Sequence, residues 1–196
     1  MPYYFHQDRI TYFKHQAETT KNYIIPYIQT YYPINEQTNV LEIGSGEGGV
    51  LQAFLDCGCR CVGVELNKQK YELASKMMTV FIENGKLELI HKNIYDESFK
   101  KTFQGKFDLI ILKDVIEHIE NQKRLLRYLH TFLQLDGVIF ISFPPWQMPF
   151  GGHQQMCTGF LKKVPWFHLL PMPIYKSILM SMNEPKSVIN SLITNK

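Results

Sequence analysis

Asn39-Val40-Leu41-Glu42-Ile43-Gly44-Ser45-Gly46-Glu47-Gly48-Gly49 is the stretch on which the fold turns. Residues 39–43 make a short apolar run, and glycines follow at once. That order reads as a buried strand entering a tight turn. From residue 49 to about 55 the pattern becomes helical. The loop satisfies two templates together, G-x-G-x-x-G from Gly44 and E-x-G-x-G-x-G from Glu42. In either one, glycine permits positive φ and lets a ligand approach the main chain where a helix begins.

Downstream, strands and helices alternate. Strands are expected over 60–65, 86–91, 107–112 and 138–143, and helices over 67–83 and 122–135. The turn Leu135-Asp136-Gly137 introduces the last strand. Upstream, 8–32 reads as helix, with Pro26 kinking or dividing it. Continuously apolar strands alternating with helices imply an α/β fold: a doubly wound, mainly parallel sheet with helices on both faces. Ligands in such sheets bind beyond the carboxyl ends of strands, near the point where strand order reverses. After Phe143 the alternation stops. Pro144-Pro145-Trp146 opens an irregular stretch that ends in an apolar, helix-like tail over 174–182. Three regions are therefore expected: an N-terminal helical segment (1–38), a core (39–143) and a cap-like segment (144–196) covering the substrate, which alternatively forms a dimer contact or a membrane-surface helix.

The bulk composition suits one soluble domain. Of 196 residues, 45% are hydrophobic and 20% charged, and the net charge is +3. That charge is too small to imply nucleic acid. It is concentrated at one end, since residues 151–196 hold five lysines and a single acid, Glu184. Cys57, Cys59 and Cys61 alternate along a strand, so they point in parallel and suit neither a disulfide nor zinc. They and Cys157 are expected to be reduced core thiols of a cytoplasmic protein, with no metal. Residues 1–9 lack the pattern of a signal peptide, and no apolar run reaches about 20 residues, so no transmembrane segment is expected.

The glycine loop alone does not separate two kinds of nucleotide cofactor. Glu65, at the end of the second expected strand, suits ribose hydroxyls in both. Glu42 tips the balance, because a carboxylate directly before the loop repels a pyrophosphate. Glu47 argues the same way. Val40 to Gly48 then resembles the first motif of the class I S-adenosyl-L-methionine (SAM) dependent methyltransferases, a Rossmann-like fold. Gly63-Val64-Glu65-Leu66 is similar to their ribose-binding segment, and Lys92-Asn93-Ile94 falls where they contact adenine. Asp108-Leu109-Ile110 with Asp114-Val115-Ile116-Glu117-His118-Ile119 resembles their fourth strand and the loop after it. Leu133 to Ile139 looks like their turn into strand five, with Leu135 and Asp136 in place of Pro and Gly. The resemblance covers 40–142. It departs in one respect: the family sheet has seven strands, and only five are legible here.

The resemblance implies SAM as cofactor and transfer of its methyl group to an O, N or C atom of a small-molecule acceptor. It places the cofactor against Glu42, Gly44, Ser45, Gly46, Gly48, Glu65, Leu66, Asn93, Ile94, Lys113, Asp114 and Val115. Asp96 competes with Asn93, or caps the next helix. His118 is a candidate base, because histidine as a residue type loses its proton at about pH 6.5. His153 is a candidate substrate contact. Tyr3, Tyr4, Phe5 and Tyr12 could close over the cofactor. A homodimer is compatible with the apolar C-terminal segment. Two alternatives stay open: an NAD(P)-dependent oxidoreductase, and a SAM-binding module without catalysis.

Overall fold

The computed structural model describes residues 8–119, 121–151 and 153–194. They fall into two compact units, one ending at Phe143 and one beginning at Pro144.

The first unit is built on β1 (Asn39–Ile43), β2 (Arg60–Glu65), β3 (Leu87–His91), β4 (Phe107–Lys113) and β5 (Leu133–Ser142). All pair in parallel, in the order β3-β2-β1-β4-β5. The order therefore reverses between β1 and β4. Among the described residues, β3 and β5 are the edge strands and the sheet has five strands.

Register explains the two-sided core. Val40 lies between Cys61 and Leu109, and Leu41 between Val62 and Ile110. Successive side chains point to opposite faces. On one face Val40, Cys61, Leu109 and Ile111 pack with Val50, Leu51 and Phe54 of α3 (Gly49–Asp56). Ile25 and Ile28 of α2 (Ile25–Gln29) join them, while α1 (Arg9–Thr19) contributes Phe13. On the other face Leu41, Ile43, Ile110 and Leu112 meet Phe99 and Phe103 of one helix and Leu125 and Leu129 of another. Asp108, the acid at the start of β4, accepts from the Asn39 backbone N–H at 2.8 Å and from the Tyr32 hydroxyl at 3.3 Å. It thus fixes where β1 begins.

Several elements differ from expectation, each for a physical reason. The N-terminal helix stays helical but widens to a π-helical turn over Thr20–Ile24 before α2. Pro26 has no N–H to give the carbonyl four residues back, and the wider turn absorbs that gap. The helix expected over 67–83 is two, α4 (Lys68–Met77) and α5 (Thr79–Glu83). Thr79 Oγ1 donates to the Ser75 and Lys76 carbonyls where they meet, which competes with the helix ladder. A further short helix, α6 (Glu97–Phe103), is capped by Asp96, which accepts from Ser98 N at 2.8 Å. Helix α7 (Gln122–Leu129) ends earlier than the expected 135, in a 3-10 turn over His130–Phe132. The expected turn at 135–137 is instead a bulge inside β5: Leu133 pairs with Phe107 and Val138 with Leu109. Gly137 permits this, because a Cβ there would meet the Phe107 carbonyl at 2.9 Å.

The second unit holds α8 (Met172–Ser181), α9 (Lys186–Thr194) and several 3-10 turns. Its core gathers Cys157, Leu161, Phe167, Tyr175, Leu179, Ile189 and Leu192. No strand occurs among its described residues. Of the cysteines, Cys59, Cys61 and Cys157 are buried, whereas Cys57 is exposed and so is not a core thiol.

Leu109 is fully buried where β4 meets both its neighbours' side chains. Leu109→Ala should therefore lower stability by about 2–5 kcal/mol, read from the urea unfolding midpoint. A loss well under about 1 kcal/mol would contradict this packing.

Candidate cofactor site

The turn from β1 to α3 takes five residues, at the place where strand order reverses. Gly44, Gly46 and Gly48 all have positive φ (71°, 55° and 88°). A Cβ on Gly44 would also strike Val115 Cγ2 at 2.7 Å, so the segment after β4 lies directly on the loop. The loop is strapped to the end of β2: Gly44 N and Ser45 N both donate to the Val64 carbonyl, at 2.8 and 3.1 Å. Glu65 ties it further. One carboxylate oxygen accepts from Gly46 N at 2.8 Å and the other from Asn67 N at 2.7 Å. Gly49 permits a third close approach, since a Cβ there would strike the Phe13 carbonyl and Gln16 of α1. That contact brings α1 against the loop.

These constraints open a cavity of about 780 Å³ along the carboxyl ends of β1, β2 and β4. Such a volume is that of a small-ligand site. Glu42, Gly44, Ser45, Gly46, Glu65, Leu66, Asn93, Ile94, Lys113, Asp114 and Val115 all line it. Of the cofactor candidates, only Gly48 does not. Its missing Cβ makes room for Met78 Sδ, so it serves packing at the start of α3. His118 lines the cavity too, in the 3-10 turn Ile116–His118, with Glu117 Oε1 3.9 Å from its Nε2. His153 belongs to the second unit. Asp96 is the helix cap described above rather than a lining residue. Asn93 does line the cavity, its side-chain oxygen accepting from Tyr95 N at 3.0 Å.

Sequence reasoning missed part of the wall. Gln16, Lys70, Tyr95, Asn121 and Arg124 also face the cavity, and so do Glu47, Lys92 and Tyr12, which the sequence had already singled out. Gln16 Nε2 donates to the Tyr12 hydroxyl at 2.9 Å. Burial raises the Tyr12 pKa; Asp114 and Glu47 add to the rise and Lys113 opposes it. These charges therefore converge on one end of the cavity. The signal for α1 was the second glycine of Gly48-Gly49, which admits a crossing helix. Tyr3, Tyr4 and Phe5 lie outside the described residues.

Electrostatics distinguish the two ends. Glu42 and Glu47 are buried, and Glu42 Oε2 has no hydrogen-bond partner among the described residues. Burial drives the Glu42 carboxyl well above its ordinary 4.5; Glu65 adds to the rise, while Lys113 and the Leu51 amide oppose it. Lys113 Nζ is 2.5 Å from Asp114 Oδ2, and Asp114 holds a left-handed φ of 56°. Such backbone strain persists where surroundings enforce it, and functional sites are where it clusters. At the other end Lys70, Lys92 and Arg124 supply positive charge, Arg124 lying 5.3 Å over the Tyr95 ring. A pyrophosphate on the glycine loop would meet Glu42 and Glu47, whereas a group bearing ammonium and sulfonium charge suits them. The residues present fit SAM.

Comparison with known proteins agrees. The methyltransferase-domain family matches residues 13–166, and the chain belongs to that family, in the class I SAM-dependent type. A ubiquinone biosynthesis O-methyltransferase of Glaesserella parasuis serovar 5 (strain SH0165) is 29% identical over 119 residues, covering 56% of this chain and 49% of that protein. The PKMT2 protein of Rickettsia typhi, solved in complex with AdoHcy, is 29% identical with a TM-score of 0.52. The match covers 67% of this chain and 27% of that one. A SAM-dependent methyltransferase from Archaeoglobus fulgidus shares the fold at 20% identity and a TM-score of 0.51, over 67% of this chain and 55% of its own. The chain spans about half the length of the first curated relatives it matches. Membership of this family sets aside the nicotinamide alternative.

Two consequences are measurable. Gly44→Ala forces a side chain into positive φ and onto Val115, so its melting temperature should fall by several degrees, roughly 1–2 kcal/mol or more. An unchanged melting curve would contradict the loop geometry. Glu42 binds its proton more tightly folded than unfolded, so ligand-free protein should lose stability as pH rises from about 4.5 through the raised pKa. Glu42→Gln removes that loss. In thermal melts at stepped pH, its stability relative to wild type should grow across this window, and a constant difference would contradict it.

Proposed function

We propose that this chain carries the methyl-transfer domain of an enzyme that alkylates a small molecule. The observation that carries the reading is the single cavity joining the glycine loop, Glu65, Asn93 and the segment after β4. When bound, SAM supplies an electrophilic methyl group on a sulfonium. In this reading the backbone of Gly44 to Gly46 receives the methionyl end, with the Glu42 and Glu47 carboxyl groups beneath it. The Glu65 carboxylate, already held by two backbone N–H groups, is oriented to accept from ribose hydroxyls. Leu66, Ile94 and Asn93 bracket the adenine. Lys113, Asp114 and Val115 flank the reacting end, which Tyr12 and Gln16 close from α1.

The residues act mainly by alignment. Methyl transfer requires the acceptor's lone pair to lie in line with the methyl group, and positioning alone contributes several kcal/mol to such a step. His118, on the same wall, is our candidate to take a proton from a hydroxyl or ammonium acceptor. The small-molecule acceptor rests on the size of the cavity and on the likeness to a ubiquinone biosynthesis O-methyltransferase.

Incubation with methyl-labelled SAM and a panel of phenols, amines and carboxylic acids tests the reading. We expect label in one class of acceptor, with stoichiometric S-adenosylhomocysteine. Glu65→Ala should weaken S-adenosylhomocysteine binding by roughly ten- to a hundredfold, the value of one or two charged hydrogen bonds. Binding without any labelled product would favour the non-catalytic module; undiminished binding by Glu65→Ala would remove the assigned ribose contact.

A further inference from the structure

The second unit presents a surface that the cofactor site does not explain. Its only acid, Glu184, is buried and fully engaged. One Glu184 oxygen accepts from Thr158 N at 2.8 Å and Thr158 Oγ1 at 2.9 Å, the other from Gly159 N at 3.0 Å. Among the described residues, the unit therefore has no exposed carboxylate. Lys163, Lys176 and Lys186 are exposed and Lys162 is half-buried. The unit's apolar core is complete without the large side chains left outside it. Those include Trp146, Phe150, Phe160 (67% exposed) and Trp166 (52% exposed).

Hydrogen bonds tie Trp166 to the segment bearing Trp146 and Phe150, and a second set shapes the nearby turn bearing Phe160. Trp166 N donates to the Pro149 carbonyl at 2.5 Å, and its indole N–H to the Gln147 carbonyl at 3.2 Å. His168 Nε2 lies 2.6 Å from the Trp146 carbonyl, and the Trp146 and His168 rings meet edge to face. The turn bearing Phe160, Lys162 and Lys163 is pinned by the Gln154 amide, which donates to the Leu161 and Val164 carbonyls. Trp166 is held at a left-handed φ of 58°, so its position is enforced rather than incidental.

We propose that this patch docks the unit on an anionic lipid surface: Trp146, Phe150, Phe160 and Trp166 at the headgroup boundary, with Lys162 and Lys163 toward the lipid charge. Indole rings favour that boundary, and clustered lysines without opposing acids favour anionic headgroups. No helix among the described residues is long and apolar enough to cross a membrane, so the contact is made from one side. A second copy of the chain fits the patch less well, because a two-fold contact would set lysine against lysine with no carboxylate between them. Nucleic acid suits it less because large apolar side chains outnumber the cations. The proposal is independent of the methyl-transfer reading.

The protein's only two tryptophans, Trp146 and Trp166, both lie in the patch, so intrinsic fluorescence reports on it directly. With full-length protein, vesicles of phosphatidylglycerol and phosphatidylcholine should shift the emission to the blue. Brominated lipid should quench it, and high salt should reverse the binding. Pure phosphatidylcholine should bind far more weakly. The Lys162→Glu, Lys163→Glu double variant should lose roughly tenfold or more in vesicle affinity, with an unchanged circular dichroism spectrum. Phe160→Ser, at an exposed position, should also weaken binding, which keeps the proposal testable if the double variant misfolds. Absence of any shift or co-sedimentation with anionic vesicles would overturn it. So would a shift produced by RNA alone, or by raising protein concentration without lipid.

Discussion

A carboxylate holding a glycine turn open is the interaction on which the rest of the site depends. Glu65 closes β2, yet both its oxygens point back to backbone N–H groups, one in the loop after β1 and one leading into α4. The loop cannot settle against β2 with larger residues, because three of its positions have positive φ and one of these abuts Val115. The strand order then does the rest. Because β1 lies between β2 and β4, anything strapped to its carboxyl end is flanked by the ends of both. The cavity is a consequence of topology plus these few bonds.

Much of the fold was legible in the sequence, for identifiable reasons. β1, β2 and β4 are central and covered on both faces, so they read as mainly apolar runs with sharp ends. The places where reading failed are those where tertiary packing overrides local preference. Leu135-Asp136-Gly137 has turn chemistry, but pairing along Phe107 and Leu109 carries it as a bulge within a longer β5. Residues 67–83 have helical periodicity, but the buried Met78 beneath Gly48 and the Thr79 hydroxyl split the helix. Helix α6 escaped notice because its seven residues are too few for periodicity to register, although its Asp96 cap was in view.

The site was legible to a similar degree. Glu42, the glycines and Glu65 follow from their places at strand ends. Gln16, Arg124 and Lys70 have no local signature, because only the folding of α1, α7 and α4 over the sheet brings them to one wall. The buried acids carry the most chemical information. Burying an acid with an unpartnered oxygen, as at Glu42, costs stability, and buried acids with perturbed protonation cluster at functional sites.

Calorimetric titration of the wild-type protein with SAM, and separately with NADH, addresses the central claim most directly. One-to-one binding of SAM, with no heat from NADH, is the predicted result. Folded protein that binds NADH, or that binds neither molecule, would contradict the account.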